Sequence, residues 1–374
     1  MRAATRLCTI GAIAVTAIVG SGASSALASS TEQTVFVQTD NAAGNQIVAY
    51  DRGADGTLSQ AGSYATGGLG GALAGSVVDH LASQGSLAYD REDRLLYAVN
   101  AGSNTISVFA VLGDRLALRQ VLSSGGTFPV SLTVEHGVLY VLNAEEGGSL
   151  QGFVVDRGRL TPLPHSQRAL GLDPNATPQF THTPGQVAFT PDSSQLIVTT
   201  KGNGSAIDVF AVHAFGRLSQ RPTVNVEAGA VPFGVTFDAQ GDLVVSEAGT
   251  NALASFSLHE DGTLSQLDAV GTGQAATCWV ARAGSRFYTS NAGSASLSAF
   301  QSSAGGQLLS LLGTTETDAG TVDAAVADGS RYLYVQAGAA GVVDEFAIGA
   351  PGALSKLGSV TVPGAVGGEG IAAG

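Results

Sequence analysis

The chain has 374 residues, with 17 Lys and Arg against 30 Asp and Glu, a formal net charge of −13, and 51 glycines. An acidic surface of this kind repels phosphate backbones and anionic bilayers, which argues against nucleic acid or a membrane surface as partner. Charged residues make up 13 % of the chain and there is one Met and one Trp, so the composition favours turns and strands over helices. No long window beyond the N-terminus has helical periodicity.

The N-terminus is a separate unit. Arg2 and Arg6 precede an apolar stretch from Leu7 to Val19, followed by small residues and Ala26-Leu27-Ala28. This order of charged region, apolar core and Ala-x-Ala site predicts a secretory signal over residues 1–28, and the apolar run is short for a membrane span. The mature protein, 29–374, is then a secreted single domain, extracellular or in the cell envelope and expected to be a monomer. Loss of Arg2 and Arg6 takes the formal net charge from −13 to −15. Cys8 leaves with the leader, so Cys278 is the one mature cysteine and there is no disulfide framework. Next to Trp279 on an apolar run and with no neighbouring His, Cys278 reads as a core residue.

From residue 34 onward the chain repeats itself. Asp-Gly-Thr-Leu-Ser-Gln occurs at 55–60 and at 261–266, and Asn-Ala-Gly-Ser at 100–103 and at 291–294. Each unit has an apolar, β-branched or aromatic run (Leu95 to Val99), a polar residue (Asn100), a turn, an aromatic anchor (Phe109) and a Gly-x-Leu-like close. Such runs between turn residues are strands and hairpins. The anchors fall at Tyr50, Phe109, Phe153, Phe210, Phe256, Phe300 and Phe346, at intervals of 59, 44, 57, 46, 44 and 46 residues. A period of about 40 to 50 residues with four strands is that of a propeller blade. The expected fold is all-β, a seven-bladed β-propeller of four-stranded blades. Glu369 to Ala373 supplies the innermost strand of a blade whose next strand begins at Thr34 to Val37, closing the ring.

Two intervals are long. The extra residues lie at about 62–85 and 164–183, each between the last strand of one blade and the first of the next. They should share a face with the polar residues that close each second strand: Asp40 or Asn41, Asn100, Asn143, Thr200, Glu247, Asn291 and Gln336. Long loops on one face of a repeat array mark a binding face, and the polar ring should surround the channel mouth. Asn and Asp also begin tight turns, which accounts for most of the ring without a ligand; glutamate is a poor turn former, which singles out Glu247. His80 and His182 stand in the two long loops as possible general bases. No metal-ligand spacing accompanies them, so neither metal nor other cofactor is expected. Asp51 to Gly56 lacks most of a calcium loop. Gly-x-Ser-x-Gly, phosphate-loop and dinucleotide signatures are missing; Gly67 to Gly71 lies in a loop without the strand and helix that such a fingerprint needs.

The segments Leu96 to Phe109 and Val187 to Asp192 resemble the seven-bladed propellers of the lactonase family, which includes 6-phosphogluconolactonases and carboxy-muconate cyclases. The resemblance runs over nearly all of the mature chain. It implies that Glu247 matches a family Glu, whereas Phe233 and Gly234 replace a family Arg-His pair and about Gly185 replaces a family His, with His182 three residues upstream. Phosphate recognition is thereby in doubt, since Lys201 is the one cation left at the expected mouth. Two functions follow. In the first, the protein opens or closes the ring of a small lactone, with Glu247 or His182 as acid/base, Lys201 stabilising negative charge, and Asn100, Asn143, Asn291, Gln336 and His80 facing the substrate. In the second, the same face is a non-catalytic platform for a carbohydrate, peptide or protein.

Overall fold

The computed structural model describes Met1 and residues 33–303 and 309–374; the leader expected at 1–28 otherwise lies outside them. Seven antiparallel sheets form the propeller. Blade 2 shows the plan, with strands Leu87–Asp90, Leu95–Asn100, Thr105–Leu112 and Arg115–Ser123 in spatial order from the channel outward. The inner strands of adjacent blades pack against one another around the axis.

The sequence pattern follows from position in the blade. A second strand is covered by sheets on both sides, and Leu95–Asn100 and Tyr332–Ala337 are accordingly buried throughout. A fourth strand has one face in water, so Leu58–Ala65 and Leu354–Thr361 carry polar residues outward. The seven aromatic anchors all lie on third strands and are at most 1 % exposed. In five blades the pairing with the fourth strand shifts register at the anchor, as between Val108 and Phe109 or Glu345 and Phe346. A bulge there bends the outer edge while the ring stays between blades. In blades 3 and 4 the outer position is split between two short segments instead: Arg159–Pro162 with Arg168–Ala169, and Arg217–Leu218 with Thr223–Val226.

The ring closes as the repeat requires. Ile371–Ala373 pairs with Thr34–Gln38 in the register Val35 to Ala373, Phe36 to Ala372 and Val37 to Ile371. Blade 1 therefore takes its inner strand from the C-terminus and its other three from the N-terminus.

Candidate site at the channel mouth

Second strands end, and fourth strands pass to the next blade, on one face of the ring. The long 62–85 connection does not stay beside that face but runs into the channel. The Gln84 side chain bonds the Val280 backbone on the far side of the ring, donating from Nε2 to its carbonyl at 2.9 Å and accepting from its N–H at 3.0 Å. Ser83 Oγ donates to Val130 O at 2.8 Å, the indole N–H of Trp279 donates to Ser83 O at 2.6 Å, and Ser131 Oγ donates to Gln84 O at 2.7 Å. Gln84 N–H donates to Gly185 O at 3.1 Å, and Gly85 N–H donates to Glu369 Oε1 at 3.0 Å. One short segment is thus tied to blades 1, 3, 4 and 6, and it plugs the mouth.

This plug explains the residues that break the family pattern. At Gly234 a Cβ would stand 2.2 Å from Gln84 Oε1 and 2.9 Å from Cys278 O; at Gly185 it would meet Thr199 Oγ1 at 2.8 Å and Phe233 O at 2.9 Å. The positions where the resemblance implies His have room for glycine alone. Phe233 packs edge-on against Trp279 with centroids 5.0 Å apart. Cys278 is partly exposed, yet desolvation lifts its thiol to about 12, leaving it unreactive.

Lys201 is 1 % exposed and does not face an open mouth. Its ammonium donates to Ala82 O and, at 2.7 Å, to Phe180 O, above the Phe233 ring at 5.2 Å. Burial lowers its pKa to about 7 against the opposing pull of Asp79. The polar ring is likewise internal. Asn100 accepts from Asn45 and donates to Ser107 Oγ at 2.8 Å; Asn291 accepts from Thr277 Oγ1 at 2.7 Å and donates to Ser298 Oγ at 3.0 Å. Asn143 lies against Ser149, and Gln336 Nε2 donates to Gln38 O at 3.1 Å. All four are at most 1 % exposed, so in this conformation they hold turns and neighbouring strands together and none reaches a ligand. The ring expected at an open mouth is a buried layer in which each of the four amide NH2 groups has a partner, while Asn143 Oδ1 and Gln336 Oε1 have none among the described residues. His80 is also a packing residue: its ring lies over Gly367, where a Cβ would come within 2.2 Å of Nε2, and burial lowers its pKa.

Glu247 and His182 lie apart, with no hydrogen bond or ion pair joining them among the described residues. His182, on the single turn Gln179–His182, holds Nδ1 2.8 Å from Pro178 O. Thr181 Oγ1 lies 2.9 Å from the same Nδ1, so that nitrogen sits between a carbonyl and a hydroxyl. His182 lines a cavity of about 20 Å³ with Glu145, Gln179 and Thr183, room for one water. Larger grooves of about 350 and 450 Å³ open on the opposite face. Glu247 accepts from Thr250 Oγ1 at 2.7 Å. Burial, and then the charge of Glu247, raise the pKa of the more exposed Glu227. Glu227 follows an ordinary strand and has no motif; only the fold brings it near Glu247.

Beneath the plug lie four buried carboxyls. Burial raises Asp40 to about 8, Asp79 to about 7 and Asp323 to about 6, and raises Glu369 as well. Asp40 accepts from Glu369 N–H at 2.7 Å, and Asp79 accepts from the N–H groups of Leu81 at 2.8 Å and Ser83 at 2.9 Å. Glu369 Oε2 has no donor, and the neighbouring Asp323 adds to burial in raising the Glu369 pKa. No group of three His, Cys, Asp or Glu side chains among the described residues is arranged to hold a metal.

Two predictions follow from this packing. Gly234→Ala should lower stability by about 1 to 3 kcal/mol through overpacking, and Gln84→Ala should relieve most of that loss; a double-mutant cycle by thermal unfolding measures the coupling. The raised carboxyls bind protons more tightly folded than unfolded, so stability present near pH 4 is lost as pH rises toward their folded values. The melting temperature should fall from pH 4.5 to 6, a window in which Lys201 is charged in both states. Asp40→Asn should flatten the slope by about 1.4 kcal/mol per pH unit.

In sequence, none of the curated proteins matches the chain. The family model described as lactonase, 7-bladed beta-propeller, matches residues 72–367. A provisionally assigned 6-phosphogluconolactonase from Bacteroides fragilis is similar in structure, with TM-score 0.70 and 19 % identity over 90 % of this chain and 97 % of that one. A second, from Bacteroides uniformis, has TM-score 0.72 and 18 % identity over 89 % and 97 %. The periplasmic gluconolactonase of Pseudomonas aeruginosa has TM-score 0.69 and 18 % identity over 90 % and 98 %. At these identities the structural likeness speaks for the fold, while the family match spans most of the chain: this protein belongs to the lactonase family of seven-bladed β-propellers.

Proposed function

We propose that the protein is exported and opens a small, unphosphorylated lactone at the face bearing its two long connections. The observation that carries this reading is the Glu247 and Glu227 pair: Glu247 keeps the position of the family Glu, and its charge helps hold a proton on its more exposed neighbour. A carboxyl that burial helps keep protonated, beside a second carboxyl, can divide acid and base roles with it. As base, Glu247 takes a proton from water as the water oxygen bonds to the lactone carbonyl carbon. As acid, Glu227 returns a proton to the ring oxygen as the ring C–O bond breaks. Phosphate has no support, because Lys201 is spent on two carbonyls beneath the plug. Export rests on the leader with Arg2, Arg6 and Ala26-Leu27-Ala28.

A second reading, a binding platform without turnover, is favoured by the plug itself, which fills the space of the family Arg-His pair. A panel of aliphatic and sugar lactones assayed with the mature protein separates the two. Turnover should fall about 100-fold or more in Glu247→Gln, and Glu227→Gln should remove the alkaline limb of the pH–rate profile. Equal rates in Glu247→Gln and the parent would overturn the catalytic assignment, and binding without turnover would establish the platform.

A further inference from the structure

The two long connections are far apart in sequence yet interlock over the channel. Ala74 N–H donates to Gln179 Oε1 at 2.8 Å, Phe180 N–H donates to Ala74 O at 3.4 Å, and the Phe180 ring lies over Gly75, where a Cβ would be 3.2 Å away. Beneath both, Lys201 places its ammonium on one carbonyl from each, Ala82 O in the first connection and Phe180 O in the second. The adjoining Gly202 N–H donates to Thr181 O at 2.8 Å. The other groups facing Lys201 are Phe233, Asp79 and Cys278. A fully buried ammonium is costly unless its donors are used, and here two of its bonds are spent on joining loops rather than on closing a blade.

We infer that Lys201 is a clasp that makes the two connections one lid over the channel mouth, and that the lid opens as a unit when the clasp is lost while the seven blades stay folded. The blades carry their own core: the seven anchors and the closing pair of strands are independent of Lys201. Besides these bonds the lid places Leu73, Leu81 and Ala82 in the apolar cluster it covers, and its first arm has glycines at 67, 68, 70, 71 and 75, of which Gly67 and Gly75 adopt positive φ. Beneath it lies the Phe233 and Trp279 pair, with Trp279 bonded to the lid through Ser83 O.

Trp279 is the chain's single tryptophan and so reports on the lid directly. In Lys201→Gln, acrylamide quenching of Trp279 should rise about threefold as the buried indole becomes reachable. Hydrogen exchange should then accelerate together in residues 72–83 and 176–183, with peptides of the inner strands keeping their protection. Unchanged quenching, or faster exchange in one connection alone, would overturn the clasp. Should Lys201→Gln fail to fold because Asp79 is left uncompensated, Lys201→Gln with Asp79→Asn restores the charge balance; failure of that variant to form the ring would show Lys201 to be part of the scaffold, which also overturns the inference.

Discussion

The amide of Gln84 and the backbone of Val280 set the terms for the whole channel mouth. A closed ring of seven blades leaves an axial space, and here a polar segment fills it, so its backbone groups need partners inside the protein. Gln84 supplies both halves of one such pairing across the ring, while Trp279, Ser83 and Glu369 supply others. Once that segment is in place, a side chain at Gly234 would run into Gln84 and Lys201 is almost fully buried, while Gly185 is crowded by Thr199 and Phe233. The family Arg-His pair is then absent for a steric reason as well as in the sequence.

Charge burial is the second consequence. Asp40, Asp79, Asp323 and Glu369 share the space below the plug with Lys201, a balance that water would tolerate and a protein interior does not. The response is chemical: the carboxyls are raised so that protons are retained, and Asp40, Asp79 and Glu369 each accept from at least one backbone N–H. Such a cluster makes the mouth sensitive to conditions in a way that the apolar interfaces between blades are not. The anchors and the second strands carry the stability of the ring, while the mouth carries its polar and conformational character.

Function follows the same division. The family match and the ring geometry place this chain among lactonase propellers, and its axial space is filled by the Gln84 segment. The groups proposed to handle a proton are Glu227 and Glu247, where burial and the charge of Glu247 raise the pKa of Glu227.

The sequence by itself determined the blades. Its period placed seven aromatic anchors that all became fully buried, and its end residues named the closing strands, because a repeated unit with one dominant hydrophobic contact has only one way to bury it against its neighbours. Glu247 stood out there as a glutamate at a turn position. The contents of the channel were decided only by the tertiary structure. Local pattern shows that residues 62–85 are extra, but not that Gln84 bonds Val280 196 positions away, that Lys201 would be capped by two carbonyls from different loops, or that Glu227 would feel Glu247. Those outcomes depend on distances between blades, which no periodicity encodes, and on the cost of burying polar groups, which is settled only when every donor and acceptor in the closed ring has found its partner.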